Sequence, residues 1–236
     1  MAQEEDRLSK ELSEGQKLPP MKELTPEMKK ELSKIKEKID KFGKDVVKKF
    51  PHVLSVGLLP AMQTQPGHGQ EKEKKKPELI IIFPDDKIKE IKKIEKELAD
   101  LLKKQDLDVT FFTRSPQELW QTCFDGHYAD MDRISMSYPV HDKGILSALR
   151  VASIHKNLVL RKFERYVTSY VIAGSLVRGQ ATKTSDVDIY VVIDDTDVKR
   201  MSRYELKERL RAMIYSYAFE ANEIAAAKNK LSPQVY

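Results

Sequence analysis

The chain of 236 residues is short of several things. It has one cysteine, Cys123, so no internal disulfide can form, and a reducing compartment, the cytoplasm, is the expected setting. No run approaches the roughly 18 uninterrupted apolar residues that a membrane span needs, which excludes classes built around such a span. The opening stretch, Met1 to Asp6, is acidic and without an apolar core, so no secretory signal is expected there. Histidines are few, and His52, His68, His141 and His155 have no metal-ligand spacing. Charge of either sign is nearly balanced, 42 Lys+Arg against 37 Asp+Glu, and an excess of five does not by itself imply nucleic acid.

What is present is a 33% charged, 40% hydrophobic chain with room for one large domain or two of about a hundred residues. Between Arg150 and Arg211 stand 13 Lys/Arg and 8 Asp/Glu, so the whole positive excess lies there. Arg161, Lys162, Arg165, Arg200, Arg203, Lys207 and Arg211 are candidates for a basic rim facing RNA or a triphosphate tail.

Residues 1–24 are polar, hold Pro19-Pro20, and read as a mobile arm. Thr25-Pro26 starts a long amphipathic helix, with Thr25 as N-cap and an apolar stripe through Ile35, Ile39, Phe42 and Val46. The apolar runs 53–59 and 79–83 read as strands, 86–104 as a helix and 108–112 as a third strand. Ser115-Pro116-Gln117-Glu118 opens a short helix on which Trp120, Phe124 and Tyr128, at steps of four, form a core face. The stretch from Gly126 to Gly144 reads as irregular, with a short strand at 134–136. The same order then begins again: a helix over 145–166, a strand over 170–173, a strand over 187–193, and a helix from Ser202 to about Lys228. A third strand is expected to start at Pro233, where the sequence ends.

The chemistry is concentrated in Gly174-Ser175-Leu176-Val177-Arg178-Gly179-Gln180-Ala181-Thr182-Lys183-Thr184-Ser185-Asp186-Val187-Asp188. Two carboxylates at i and i+2 on a strand point to one face, so Asp186 and Asp188 can share hard divalent cations. Upstream, Gly174-Ser175 follows a strand and is expected to open a short helix whose free N–H groups suit a phosphate. Gly174 allows close approach, the Ser175 hydroxyl can hydrogen-bond the phosphate, and Arg178 or Lys183 can neutralise it. An anion holder and a cation holder on neighbouring strands are what a nucleoside triphosphate bound with magnesium requires. Cys123 near His127, Asp125 and Asp130 is the weaker candidate, better read as a half-buried thiol in a loop.

Gly174-Ser175, Gly179 and Ser185-Asp186-x-Asp188 in front of an apolar strand resemble the signature of the DNA polymerase beta-like nucleotidyltransferase superfamily, especially its minimal branch. The resemblance implies that Gly174, Ser175, Arg178, Gly179, Lys183 and Ser185 surround the nucleotide. It also implies that Asp186 and Asp188 are catalytic and hold two Mg2+ ions, with a third carboxylate on a later strand. Alignment on the first half gives Gln234 at that third position or puts the position beyond Tyr236, and it places Pro77 and Leu79 where Asp186 and Asp188 stand in the second.

The expectation is therefore an α/β (α+β) protein of two tandem nucleotidyltransferase-like lobes, small mixed sheets with packed helices behind a helical N-terminal extension. A degenerate lobe would span 25–144, and a nucleotidyltransferase lobe 145–236, cut short at its third strand. The expected activity is magnesium-dependent transfer of a nucleoside monophosphate from ATP or another NTP to an acceptor hydroxyl on an RNA end or a protein. The alternative is a non-catalytic module of the same shape that senses nucleotide or docks RNA or protein.

Overall fold

The computed structural model describes residues 26–61, 76–194 and 202–236, with side chains for these except 26–32 and 203. The arm expected over 1–24, the Thr25 cap and Arg200 lie outside them, as does the Arg203 side chain. The chain divides into two compact units, Met1–Glu37 and Lys38–Tyr236; helix α1 begins in the first, and the packing described below lies within the second.

Helix α1 (Pro26–Lys49) buries Ile39, Phe42 and Val46, three members of the stripe legible in the sequence. Strands β1 (Ser55–Leu58) and β2 (Glu78–Ile82) pair antiparallel. A 3₁₀ turn (Asp85–Glu90) leads into α2 (Ile91–Lys104), which returns the chain to β3 (Thr110–Arg114), parallel to β2. Ile94 and Leu98 of α2 pack with Phe42 and Val46 over Leu79 and Ile81, one face of β2.

Helix α3 (Pro116–Phe124) opens with a reciprocal capping box: the Glu118 N–H donates to Ser115 Oγ at 3.3 Å, and the Ser115 N–H donates to Glu118 Oε2 at 2.8 Å. The helix stops before Tyr128, and Phe124 is 83% exposed, so the expected core face through Trp120, Phe124 and Tyr128 does not form. The region expected to be irregular holds α4 (Tyr128–Ser135) and β4 (Tyr138–Asp142), the latter antiparallel to β1. Residue 134, expected in a short strand, is the buried apolar contact of a helix. The first sheet thus runs β3-β2-β1-β4.

Helix α5 (Ile145–Phe163) is held at its start by Asp142. Its carboxylate accepts from the N–H groups of Gly144 (3.0 Å), Leu146 (3.1 Å) and Ser147 (2.9 Å) and from the Ser55 hydroxyl (2.6 Å). These bonds satisfy donors that the first turn of a helix leaves free. Ten of its residues are buried, because the helix lies between the two sheets. Strand β5 (Val167–Ala173) pairs antiparallel with β6 (Val187–Ile193). Helix α6 (Arg203–Ala225), capped by Ser202, leads to β7 (Leu231–Val235), parallel to β6. The third strand therefore begins two residues before the expected Pro233 and is hydrogen-bonded along β6. One core joins Ile80 and Ile82 of the first sheet, through Leu149 and Val151 of α5, to Val187, Ile189 and Val191 of the second. Strands β1-β2-β3 and β5-β6-β7 share one connection order: an antiparallel pair, a helix, and a third strand parallel to the second.

Among the described residues no helix is long and apolar enough to cross a membrane.

Candidate functional site

Strand β5 ends at Ala173, which stands across the ladder from Asp188. The chain leaves that strand through Gly174 at φ +79°, and a Cβ there would overlap the Asp188 carboxylate oxygen Oδ2. A side chain at 174 would displace that carboxylate from its present position, and the left-handed φ also favours glycine. The start of the loop and the second aspartate are thereby in direct contact.

The loop itself is not the expected helix start. Residues 174–179 form successive turns, closed by Gly179 N–H to Leu176 O at 3.0 Å and Gln180 N–H to Ser175 O at 2.9 Å. Leu176 is drawn into the core, and the Val177 carbonyl is taken by Trp120 Nε1–H at 2.8 Å from α3. Gly179 lies against Pro116 at the start of the same helix. With its middle residues engaged elsewhere, the segment cannot propagate a helix, so the helix-dipole argument for phosphate does not apply here.

Of the other sequence-derived candidates, Ser175 is half-buried in the turn, while Arg178 and Lys183 are exposed. Arg178 Nε lies 3.3 Å from Gln180 Oε1. Ser185 closes the second half of the loop: its Oγ accepts from the Thr182 N–H at 2.8 Å and stands 2.9 Å from Thr182 Oγ1. Asn229, 1% exposed, donates from Nδ2 to Thr182 O at 2.9 Å and to Ser185 O at 3.1 Å, tying this loop to the approach of β7. Trp120 and Asn229 are contributors that the sequence did not disclose. The spacing of four puts Trp120 on a core face, and a lone Asn ahead of a strand carries no signal.

Asp186 immediately precedes β6 and is exposed, and Asp188 is half-buried. Val187, Ile189 and Val191, which alternate with the acids, are fully buried, so both carboxylates stand on the opposite face. The parallel register sets Ser232 beside Asp188 and Gln234 beside Tyr190. The strand next to the acid pair thus offers a hydroxyl and an amide on that face: Ser232 is level with Asp188, and Gln234, the residue aligned with the third position, is level with Tyr190. In the first sheet Leu58, the last residue of β1, pairs with Leu79, as Ala173 of β5 pairs with Asp188, and Leu79 is fully buried. That position has no cation donor.

Among the described residues no group of three or more His, Cys, Asp and Glu could hold a metal ion. Two clustered carboxylates do fit Mg2+, which is commonly held by one or two protein carboxylates together with substrate phosphates rather than by an all-protein cage.

Burial pushes the Cys123 thiol up, away from thiolate chemistry. His155 is fully buried between α5, β5 and α6, with Nε2 3.0 Å from Ile214 O and Nδ1 2.8 Å from the Tyr170 hydroxyl. A carbonyl can only accept, so Nε2 carries the proton, while the Tyr170 hydroxyl, also 3.1 Å from the Ala152 carbonyl to which it donates, has one proton for two acceptors. Burial holds this imidazole below its ordinary pKa and the Tyr170 phenol well above its own, so both are neutral. Of the basic-rim candidates, Arg161, Lys162, Arg165, Lys207 and Arg211 are exposed.

The family model of the nucleotidyltransferase domain matches residues 153–230, a span that holds the whole loop and both aspartates. The resemblance of the C-terminal half to polymerase beta-like nucleotidyltransferases stands on that match as well as on the motif. No curated protein matches the chain.

Proposed function

We propose that the chain transfers a nucleoside monophosphate from a nucleoside triphosphate, with ATP the first choice, to an acceptor hydroxyl. The observation that carries this reading is the contact of Gly174 with Asp188, which sets the turn bearing the Ser175 hydroxyl against a carboxylate suited to a cation. The nucleotidyltransferase match over 153–230 supports it.

In this reading the N–H groups and Ser175 hydroxyl of the turn take the triphosphate, and exposed Arg178 and Lys183 offset its charge. Asp186 and Asp188 would hold Mg2+ together with phosphate oxygens. Bound there, the metal supplies Lewis-acid polarisation of the phosphoryl oxygens and neutralises developing charge. The acceptor oxygen forms a bond to the α-phosphorus while the bond from that phosphorus to the bridging oxygen breaks. Pyrophosphate leaves, and the hydroxyl proton passes to solvent. Trp120 and Asn229 act as positioning residues, fixing the two halves of the loop from outside. The first sheet, with Leu79 in place of an acid, would serve as a non-catalytic relative of the second.

A second reading is favoured by one observation, the hydroxyl of Ser232 where a third carboxylate would complete the acid set. It makes the chain a nucleotide-sensing module that binds without turnover. Transfer of labelled α-phosphate from each NTP to total RNA and to protein, in Mg2+ and in Mn2+, separates the two. The transferase reading predicts labelled product from the parent and none from Asp186→Ala/Asp188→Ala. Equal inactivity of both, with metal-dependent nucleotide binding retained by the parent, would establish the module instead.

A further inference from the structure

The second sheet buries only one of its faces. Val187, Ile189 and Val191 line the core with Pro233 and Val235, and the alternate residues stand on the other side. There Tyr190 follows Asp188 at a spacing of two residues, about 6.6 Å along the strand. It has Val171 across from it on β5 and Gln234 beside it on β7. Val171 is 45% and Tyr236 59% exposed and Tyr190 between them is half-buried, so the described residues leave this face partly open.

Its chemistry is specific. The rings of Tyr190 and Tyr236 lie 5.8 Å apart, inclined at 44°. The Tyr236 hydroxyl donates to Gln234 Oε1 at 2.7 Å, and Lys207 Nζ stands 5.7 Å from the Tyr236 ring centre. Aromatic rings on an open sheet face stack bases whatever their sequence, an amide can bond to base edges, and an ammonium suits a phosphate. These groups continue directly into the acid pair at which a nucleotide would react.

We infer that this face is the acceptor platform and takes the end of a single-stranded RNA, with a base stacked on Tyr190 and Tyr236 and the terminal ribose directed toward Asp188. The neutral hydrogen-bonding groups Ser232 and Gln234 on the same face suit the 2′-hydroxyl that distinguishes RNA from DNA. The inference rests on the nucleotidyl-transfer reading for the role of the platform, but its test does not need turnover.

The probe is a fluorescein-labelled single-stranded RNA of about a dozen mixed nucleotides, followed by anisotropy without nucleotide, with single-stranded DNA and duplex RNA of the same sequence as comparisons. Base–aromatic stacking predicts that Tyr190→Ala weakens RNA binding about tenfold, while Tyr190→Phe, which keeps the ring, stays within about twofold. Tyr236→Ala, near the end of the sheet, weakens binding in the same direction. Asp186→Asn/Asp188→Asn keeps RNA binding while losing metal-dependent ATP binding, so failure of the transfer reading and failure of the platform register in different measurements. The inference is overturned if Tyr190→Ala, melting with the parent, binds RNA as the parent does. Equal binding of DNA or duplex, or label reaching protein with no RNA bound, would overturn it as well.

Discussion

Substituting Gly174 by alanine tests the contact on which the site is built. Two costs are separable there: the left-handed φ of +79°, and the overlap of the new Cβ with Asp188 Oδ2. Gly126 provides the control, since its φ is +81° but an added Cβ there meets nothing within 4 Å. Gly126→Ala should therefore carry the backbone cost alone, about 1–2 kcal/mol. For a chain of this size that lowers Tm by about 2–8 °C. Gly174→Ala carries the same cost and must also move the Asp188 carboxylate, which has a side-chain torsion free to yield. Its Tm should then lie close to that of Gly126→Ala, within about 1 kcal/mol of further loss. Its affinity for Mg-ATP, by contrast, should fall by about tenfold or more, equivalent to about 1.4 kcal/mol for one displaced cation ligand. Thermal denaturation and calorimetric titration with Mg-ATP on the two variants decide the matter. If Gly174→Ala binds Mg-ATP as tightly as Gly126→Ala does, the closeness of the turn to Asp188 has no functional weight and the reasoning fails.

Three further outcomes follow from the same geometry. Asn229→Ala leaves the Ser185 carbonyl without its side-chain donor and the Thr182 carbonyl with only the Ser185 N–H at 3.2 Å, and should destabilise the protein by about 1–2 kcal/mol; chemical denaturation reads this, and a loss below about 0.5 kcal/mol would show that the loop is held by other means. His155 has a folded-state pKa lowered by burial, so the unfolded chain binds more protons below its ordinary value of 6.5, and stability present above that pH is lost as pH falls through it. His141 is shifted in the same direction, also chiefly by burial. Tm should therefore fall between about pH 7.5 and 5.5, less steeply in His155→Asn, and a flat profile in the parent would contradict the buried neutral imidazole. Ser232→Asp places a third carboxylate level with Asp188 and should tighten Mn2+ binding about tenfold, read by titration without nucleotide, whereas no change would mean that residue 232 does not face the acids.

The parts legible in the sequence were those with local signatures. The period of α1, the apolar run of β6 and the Ser115-Pro116-x-Glu118 start of α3 each declare themselves within a few residues. Asp186-x-Asp188 is legible for the same reason, because strand alternation alone puts both acids on one face. The segment from 126 to 144 was not legible, since Phe124 and Tyr128 are apolar yet exposed, and the start of α5 is secured by Asp142, which lies on the preceding strand. The expected helix after Gly174 failed because its outcome is set from a distance, by Trp120 on Val177 and Pro116 against Gly179. Register likewise eluded the alignment of the two halves: β7 begins at Leu231, two residues before Pro233, and sets Ser232 beside Asp188.

The central claim is that the turn at 174–179 and the pair Asp186 and Asp188 together bind a nucleoside triphosphate with a divalent cation. Calorimetric titration of the parent and of Asp186→Asn/Asp188→Asn with ATP, in Mg2+ and in EDTA, tests it most directly. The account predicts binding by the parent that requires the metal and is lost in the double variant. Metal-independent binding, equal in parent and variant, or no binding by the parent at all, would contradict it.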